Sequence, residues 1–333
     1  MSWRSALEQE WYAENGGLLS DLLVPLGKIY CALAARRRAQ AHPRPSAIPS
    51  IVVGNLSVGG SAKTPTTLAL LRWLEAEGWQ PAAVSRGYGA HPPQQPYRVA
   101  PADDPEQAGD EPLLLRQVAP VYLSRHRHQG IQAAAADGHD IVVLDDGFQH
   151  LALRPTLSIL LLLGERPLGN GRCLPAGPLR EGPSALAAAD ALLCDDAASR
   201  SHWLRQSVRP IFRMEAKVHG LHVLQDGRAL PLSILQGTRV QAVTGIARPE
   251  RFRRTLESLG AKVDMHSFPD HHRFHQEDFR GLSSPLVMTA KDAVKCRFLE
   301  GLPEAWVLGQ GIHWGPDFSA WLRAQLASRR FLP

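Results

Sequence analysis

The chain has 333 residues, a formal net charge of +5, 44% hydrophobic residues and 21% charged residues. That composition is typical of a globular protein, so wholesale disorder is excluded, and the length predicts two domains. The apolar runs are only a few residues long, against roughly 20 for a spanning helix, which excludes a bundle of transmembrane helices. Four cysteines without a CxxC pair argue against a zinc knuckle or a disulfide framework. The modest positive charge suits phosphate, anionic lipid or nucleic acid and does not choose among them.

Residues 18–35 are predicted to form an amphipathic helix that Pro25 kinks. Its apolar side chains share an arc of about 140° on a helical wheel: Leu18, Leu19, Leu22, Leu23, Leu26, Ile29, Tyr30 and Leu33. Asp21 and Lys28 fall on the opposite side, and Arg36–Arg38 follow. This pattern is typical of a helix that lies in a membrane interface. The alternative is a helix whose apolar face packs on its own domain.

After a proline-rich connector, short apolar runs alternate with helical stretches, which predicts a parallel sheet covered on both faces. The predicted strands are residues 51–53, 82–84, 141–144, 157–163, 191–194, 241–244, 286–289 and 306–308. The predicted helices are residues 64–77, 249–259 and 318–327. The alternation falters between about residues 200 and 237, where short strand-like pieces indicate a hairpin linker.

The segment Gly54–Pro65 follows a predicted strand and opens a predicted helix, which is the context that a phosphate-binding loop requires. Its predicted phosphate-binding residues are Ser57, Val58, Gly59, Gly60, Ser61 and Ala62, together with Lys63 and Thr64. Lys63 would reach the β- and γ-phosphates, and Thr64 would offer its hydroxyl to Mg²⁺. Ala62 replaces the usual glycine before the lysine. Because alanine can adopt helical φ/ψ, we expect this change to be tolerated.

Asp145 and Asp146 end an apolar strand about eighty residues after this loop. P-loop proteins place an acid there to hold Mg²⁺ beside the phosphates. The two signals together predict a nucleotide site. The predicted fold is α/β, with a P-loop NTPase-like parallel-sheet domain, a second smaller α/β domain and an N-terminal amphipathic helix. The predicted boundaries are 1–45 for the arm, 46–215 for the nucleotide domain and 216–333 for the smaller domain.

Polar residues cluster at four other places in the sequence. Ser85–Gly89 joins an arginine to glycines, and Gly109–Pro112 puts two acids before an apolar run, where helix capping is the alternative. Phe268–His272 puts imidazoles beside a carboxylate, which suits an Asp–His pair for proton transfer or, less well, a transition-metal site. Arg125–His128 would bind phosphate or be solvated.

These segments together resemble the tetraacyldisaccharide 4′-kinase family, the lipid A 4′-kinases of Gram-negative bacteria. The resemblance runs in order from the amphipathic arm to about residue 300. The matching motifs are Val53–Leu56, Lys63–Pro65, Ser85–Gly89, Gly109–Pro112, Asp145–His150, Gly169–Gly171, Leu174–Glu181, Gly245–Pro249, Asp270–His271 and Lys291–Lys295. It implies ATP-dependent phosphorylation of the 4′-hydroxyl of a tetraacylated glucosamine disaccharide 1-phosphate, with Mg²⁺. It also implies a peripheral position on the anionic cytoplasmic face of the inner membrane and no nucleic-acid partner.

The resemblance also implies residue roles. The catalytic residues would be Asp110, His271, Lys63 and Arg127. Gln149 and Arg180 would join the loop residues at ATP, and the metal would be held by Thr64, Asp145, Asp146 and Glu181. Asp110 would be the base, paired with His271 from the second domain, so closure of the cleft between the domains is expected to assemble the pair.

Two alternatives from the residues alone stay open. A membrane-associated switch ATPase also has a deviant glycine-rich loop, but its signature lysine would stand at Val58. A kinase for a soluble sugar or nucleoside would share the nucleotide motifs, because acyl-chain recognition cannot be read from them.

Overall fold

A computed structural model describes residues 3–13, 16–59, 62–283 and 285–329 of the chain. Gly60 and Ser61 of the predicted phosphate loop lie outside the described residues. The helices are α1 (Trp3–Tyr12), α2 (Leu18–Leu22), α3 (Val24–Ala39), α4 (Lys63–Ala76), α5 (Pro105–Ala108), α6 (Asp110–Arg116), α7 (Arg127–Ala136), α8 (His202–Arg205), α9 (Pro249–Ser258), α10 (Ala290–Cys296) and α11 (Pro316–Arg329). The strands are β1 (Arg44–Pro45), β2 (Ser50–Gly54), β3 (Pro81–Ser85), β4 (Tyr97–Arg98), β5 (Val121–Leu123), β6 (Ile141–Asp145), β7 (Leu153–Arg154), β8 (Leu157–Leu162), β9 (Ala191–Cys194), β10 (Ile211–Val223), β11 (Ala229–Leu230), β12 (Arg239–Thr244), β13 (Lys262–Ser267), β14 (Leu286–Thr289) and β15 (Ala305–Trp314).

The chain divides into two compact units. The first unit comprises residues 1–85, 126–215 and 313–333, and the second unit comprises residues 86–125 and 216–312. This grouping differs from the predicted boundaries at two segments, since 86–125 belongs to the second unit and 313–333 to the first. The expectation that different domains supply Asp110 and His271 is therefore wrong. The physical reason is that α6, which begins at Asp110, packs against α10 of the second unit.

The first unit contains a parallel sheet in the order β10–β9–β8–β2–β6–β3. Its strands β2, β6 and β8 are buried along their whole length, as expected for a sheet covered on both faces. Val53 at the end of β2 lies opposite Asp145 at the end of β6. Because parallel strands end at the same edge of a sheet, the loop after β2 and the acids after β6 emerge side by side.

The second unit contains parallel strands in the order β13–β12–β14–β15. The later residues of β10 lie next to β15, and β11 pairs with them in an antiparallel hairpin that joins Leu221 to Leu230. The hairpin in the predicted linker is confirmed, although its first strand is a single run of 13 residues rather than short pieces. The predicted strands and helices after residue 50 are confirmed; strands 191–194 and 286–289 have the predicted bounds, and the others differ at one or both ends.

Residues 18–39 of the N-terminal arm form two helices, α2 and α3, rather than one kinked helix. The break falls at Leu23, and Pro25 lies in the first turn of α3, where its missing N–H costs no hydrogen bond. The side chains that these helices bury are small: Ser20 is fully buried, and a Cβ added to Gly27 would lie 2.9 Å from the carbonyl of Cys173. The helices α2 and α3 are therefore packed through small residues.

The leucine stripe faces outward. Leu18 and Leu22 are 86% and 82% exposed. The other exposed stripe residues are Leu19, Leu26, Ile29, Tyr30 and Leu33. The alternative of an apolar face packed on its own domain is therefore wrong for these residues. Among the described helices, none combines the length and the hydropathy that crossing a bilayer requires.

Candidate active site

The phosphate loop places Lys63 at the first position of α4. Its ammonium lies 3.3 Å from Oδ1 of Asn55 and 3.7 Å from Oδ1 of Asp146. Asn55 is 1% exposed and also donates a hydrogen bond of 2.6 Å to the carbonyl of Ser57. Asn55 thus orients Lys63 and shapes the loop. The sequence gives no role to Asn55, although it belongs to a motif that carries the family resemblance.

Asp145 is buried at the carboxyl end of β6 and accepts hydroxyl hydrogen bonds on both carboxylate oxygens. Thr64 donates to Oδ2 at 3.3 Å, and Thr67 donates to Oδ1 at 3.1 Å. The guanidinium of Arg127, which is 4% exposed, donates to the Asp145 carbonyl at 3.2 Å. The structure therefore brings together Thr64, Asp145 and Arg127, as predicted for the phosphate site.

Asp146 lies where several cations converge. Nη1 of Arg180 donates to both carboxylate oxygens of Asp146 at 2.9 and 3.0 Å. The ammonium of Lys63 lies 3.7 Å from the same carboxylate. Burial raises the pKa of Asp146, but the charges of Lys63, Arg180 and Arg127 outweigh burial and hold the pKa below its usual range. Asp146 also has a φ of +50°, a strained conformation of the kind that persists at functional sites.

Gln149 and Arg180 complete this group, which we call the Lys63 cluster: Asn55, Lys63, Thr64, Thr67, Arg127, Asp145, Asp146, Gln149 and Arg180. Gln149 donates to the Asn55 carbonyl at 3.0 Å and accepts from Arg180 at 3.3 Å. The segment before Arg180 also touches the loop, because the N–H of Val58 donates to the Pro178 carbonyl at 2.8 Å. The N–H of Val58 is thus engaged by this carbonyl, and phosphate binding by Val58 stays a prediction.

Glu181 has a different partner from the one predicted. Both of its carboxylate oxygens accept hydrogen bonds from Arg38 of α3, at 2.6 and 2.8 Å. In this structure the carboxylate of Glu181 is thus paired with an arginine, and its role as a metal ligand stays a prediction. Arg38 also donates to the Phe148 carbonyl, and its guanidinium lies 4.6 Å from the centre of the Phe148 ring. Arg38 therefore connects α3 to the rest of the first unit through specific contacts.

The Lys63 cluster fits Mg²⁺ by its donor chemistry. Mg²⁺ prefers oxygen ligands and is commonly held by one or two carboxylates together with the phosphates of the nucleotide. The Thr64 hydroxyl and the Asp145 carboxylate are such oxygens, already within hydrogen-bond distance of each other, and Asp146 follows directly. Within the described residues there is no group of three or more His, Cys, Asp or Glu side chains suited to a metal.

Ala62 adopts a left-handed conformation, with φ +55° and ψ +24°. The expectation that it has helical φ/ψ of the right-handed kind is wrong. The reason is that the chain turns sharply there before α4 begins, and the Ala62 carbonyl accepts from both N and Oγ1 of Thr66. A glycine at this position would avoid the clash of Cβ with the backbone.

Replacing Ala62 by glycine is therefore expected to stabilise the folded protein by about 1 kcal/mol. The measurement is the free energy of unfolding in urea. Ala69→Gly, in the middle of α4, is the matched control, because there the same change should destabilise by about 0.5–1 kcal/mol. Equal destabilisation by both substitutions would contradict the left-handed turn at Ala62.

The second unit holds a separate group around Asp110, the first residue of α6. Oδ2 of Asp110 lies 3.1 Å from Nδ1 of His271, and Oδ1 accepts from the N–H of Glu111 at 3.0 Å. Asp110 is buried, whereas His271 is partly exposed and has a φ of +62°. The predicted Asp–His pair is thus formed in the structure.

The pKa of Asp110 is lowered to about 2. Burial alone would raise it, but the hydrogen bond to His271 and the charges of Lys291, His271 and Lys295 outweigh burial. Since the pKa is depressed, ionised Asp110 stabilises the fold above the ordinary value of 3.8, and this contribution is lost as the pH falls toward about 2. Asp110 is therefore a carboxylate throughout the neutral range.

Lys291 joins this pair to two further carboxylates. Its ammonium lies 3.7 Å from Asp110, 3.6 Å from Glu111 and 3.5 Å from Asp270. We call these residues with His271 the Asp110 cluster. From the sequence, Lys291 is known only as part of a matching motif. It lies about 180 residues from Asp110, and the packing of α10 on α6 brings the two together.

The other histidines of Phe268–His275 have structural partners. Nε2 of His272 lies 2.9 Å from Asp278, and His275 caps the short turn that follows. His272 and His275 thus both bond to Asp278, whereas His271 bonds to Asp110, and the described residues contain no group of three or more His, Cys, Asp or Glu suited to the transition-metal alternative. Tyr88 lies near His271, with ring centres 6.5 Å apart, and is 84% exposed.

Comparison with known proteins identifies the family. A family model described as tetraacyldisaccharide-1-P 4′-kinase (LpxK) matches residues 19–327. The chain is 55% identical over 303 residues to the tetraacyldisaccharide 4′-kinase of Acidithiobacillus ferrooxidans, covering 89% of this chain and 90% of that protein. It is 40% identical over 338 residues to the corresponding protein of Chromobacterium violaceum, covering 97% and 98% respectively.

A crystal structure of LpxK from Aquifex aeolicus in complex with ATP matches with a TM-score of 0.75 and 28% sequence identity. The match covers 93% of this chain and 99% of that chain. The predicted α/β fold is confirmed by this likeness. The family that matches is therefore not that of the switch ATPases or of the soluble sugar kinases. This chain belongs to the tetraacyldisaccharide-1-P 4′-kinase family.

Proposed function

We propose that this chain transfers the γ-phosphate of ATP to the 4′-hydroxyl of a tetraacylated glucosamine disaccharide 1-phosphate. The observation that carries the proposal is the family match over residues 19–327. In the reaction a bond forms between the 4′ oxygen and the γ-phosphorus, and the bond from that phosphorus to the β–γ bridging oxygen breaks. ADP leaves, and the hydroxyl proton passes to a base. The product is the 1,4′-bisphosphate.

The Lys63 cluster would bind the phosphates of ATP. Lys63, Arg127 and Arg180 supply three positive charges around Asp146, and such charges stabilise the equatorial oxygens of a phosphoryl group in transfer. Thr64, Asp145 and Asp146 would hold Mg²⁺, which would supply positive charge to offset that of the phosphates. The hydrogen bonds of Thr64 and Thr67 to Asp145 keep its carboxylate oriented toward the loop.

The Asp110 cluster would receive the acceptor hydroxyl. Asp110 is ionised at neutral pH and buried, so it can take the hydroxyl proton as transfer proceeds. The ring of His271 lies 3.1 Å from Oδ2 of Asp110 and thereby fixes the orientation of the Asp110 carboxylate. Asp110 would be the base, and His271 its positioning partner.

The exposed leucine stripe of α2 and α3 would lie in the membrane that holds the acylated substrate. Its leucines are solvated although the same helices bury Ser20 and Gly27, which is the reverse of a helix packed on its own core. Arg36 and Arg37 follow the stripe at the end of α3 and would meet anionic headgroups. The partner surface is thus a bilayer with anionic lipid, on the cytoplasmic side where ATP is available.

Changing Leu22 and Ile29 together to glutamate is expected to weaken binding to phosphatidylethanolamine vesicles containing phosphatidylglycerol by at least about 100-fold, since each loses the burial of a large apolar side chain. Both side chains are exposed, so folding should be unaffected. Sedimentation with vesicles measures the binding. Val208→Glu is the control because Val208 is an exposed apolar residue of the same unit that lies outside the stripe. Unweakened binding of the double variant would contradict the membrane role of the stripe.

The reaction class is tested by the coupling of ADP formation to the acceptor. A kinase of this kind should release ADP rapidly only when tetraacyldisaccharide 1-phosphate is present in mixed micelles. ADP release at the same rate with detergent alone would instead favour the switch ATPase alternative. Release with a soluble glucosamine disaccharide but no acylated one would favour the soluble kinase.

A further inference from the structure

Lys291 occupies the centre of the Asp110 cluster. Besides its three carboxylate neighbours, its ammonium lies 3.4 Å from Nε2 of His271. The side chain is 21% exposed, so its charge is poorly screened by water. Burial lowers the pKa of Lys291, but Asp110, Glu111 and Asp270 outweigh burial and raise it. Lys291 is therefore an ammonium ion at every working pH.

An ammonium group restricts the proton positions of the imidazole beside it. It has three donors and no acceptor, so the atom that faces it at hydrogen-bond distance must offer a lone pair. For His271 that atom is Nε2, which leaves the ring proton on Nδ1. Nδ1 is the atom that lies 3.1 Å from Asp110 and donates to its carboxylate. Lys291 thus favours the tautomer that the Asp110–His271 pair needs.

Without Lys291 the imidazole would be surrounded by negative charge. Asp110 lies at 3.1 Å from one ring nitrogen and Asp270 at 3.8 Å from the other. The charged and titratable groups that face the ring or its partner are Asp110 and Glu111 of α6, Asp270 of its own loop, Tyr88, and Lys291 and Lys295 of α10. The pKa of His271 is raised above its usual value, because the hydrogen bond with Asp110 and the charges of Asp110 and Asp270 outweigh burial and the charge of Lys291, which lower it.

We propose that Lys291 is a positioning residue of the Asp110–His271 pair, whose ammonium opposes a second proton on His271 and so leaves Asp110 paired with a neutral ring. This rests on the proposed function of Asp110 as the base. An imidazolium hydrogen-bonded to Asp110 would make the carboxylate a weaker proton acceptor than a neutral ring does. The charge of Lys291 lowers the pKa of His271 and so limits the accumulation of that form toward neutral pH.

The test compares Lys291→Met with Lys291→Arg, using the full chain. The pKa of His271 is read from the NMR shifts of labelled histidine between about pH 5 and about pH 9. Lys291→Met should raise this pKa because an opposing charge is gone, and Lys291→Arg should leave it close to that of the parent protein. Lys262→Met, which removes an exposed lysine of the same unit, is the matched control. Should the methionine variant fold poorly, Lys291→Gln removes the same charge.

The second readout is the pH dependence of kcat. In Lys291→Met its acidic limb should move to higher pH together with the His271 titration, with a loss of about tenfold near neutral pH and little change in KM for ATP. Lys291→Arg should restore the profile. A pKa of His271 that is unchanged or lower in Lys291→Met overturns the proposal whatever the activity. The titration needs no substrate, so a parent protein that fails to phosphorylate the lipid would contradict the proposed function alone.

Discussion

Asp110→Asn is expected to lower kcat by about 10²–10⁴-fold while changing the affinity for ATP by less than about twofold. The amide has the size of the carboxylate but cannot take the hydroxyl proton. It also removes the charge that raises the pKa of His271, so that pKa should fall. ATP affinity should hold because the Lys63 cluster shares no residue with the Asp110 cluster. Initial rates with the lipid acceptor and equilibrium binding of ATP measure the two effects.

The matched control for Asp110 is Asp264→Asn. Asp264 is also an ion-paired carboxylate of the second unit, with Arg239 as its partner at 2.7 Å, and it has no proposed role in the reaction. Its replacement should leave kcat unchanged. A near-normal kcat in Asp110→Asn would remove Asp110 from the reaction, and a parallel loss in Asp264→Asn would point to a general structural effect.

Lys63→Ala is expected to lower kcat/KM for ATP by about 10²–10³-fold. Lys63 is held by Asn55 and Asp146 at the start of α4, so its ammonium is positioned before the nucleotide binds. Preorganised charges of this kind stabilise the transition state more than mobile ones, because little reorganisation is needed. The dependence of the initial rate on ATP concentration, at saturating acceptor, measures the loss.

Arg72→Ala is the matched control for Lys63. Arg72 is an exposed cation on the same helix, and removing it changes the net charge by the same amount. The control should retain the kcat/KM of the parent protein. If both variants lost activity equally, a general electrostatic effect rather than a phosphate contact would explain the role of Lys63.

The central strands could be predicted because a parallel sheet covered on both faces demands apolar residues at every position. Residues 141–144 and 157–163 show such runs, and β6 and β8 follow them closely. β13 is not predicted from its sequence, since it lies at the edge of the second sheet and mixes charged with apolar side chains. The short helices α6 and α10 likewise lack a full period of apolar residues.

The nucleotide residues could be predicted because the loop is local: Lys63 and Thr64 follow β2 directly in sequence. The conformation of Ala62 could not be predicted, because a left-handed residue is normally indicated by a glycine, and this chain has alanine at that position. The pairing of Arg38 with Glu181 could not either, because the residues are 143 apart and only the packed arm brings them together. That pairing gives Glu181 a partner in the arm that its sequence motif does not indicate.

The pairing of Asp110 with His271 is a different case. Family resemblance pairs them, but it assigns them to different domains, and the contact of α6 with α10 is needed to place both in the second unit. The same contact places Lys291 beside them. Residue type alone indicates acid–base chemistry at each position, whereas the arrangement of the cluster depends on contacts between elements distant in sequence.

The most direct test is the transfer of γ-labelled phosphate from ATP to tetraacyldisaccharide 1-phosphate in mixed micelles. The parent protein should produce a labelled lipid whose new phosphate is at the 4′ position, as found by mass spectrometry and NMR of the product. Lys63→Ala should produce almost none over the same period. Labelled inorganic phosphate without labelled lipid, or a label at another hydroxyl, would contradict the proposed reaction.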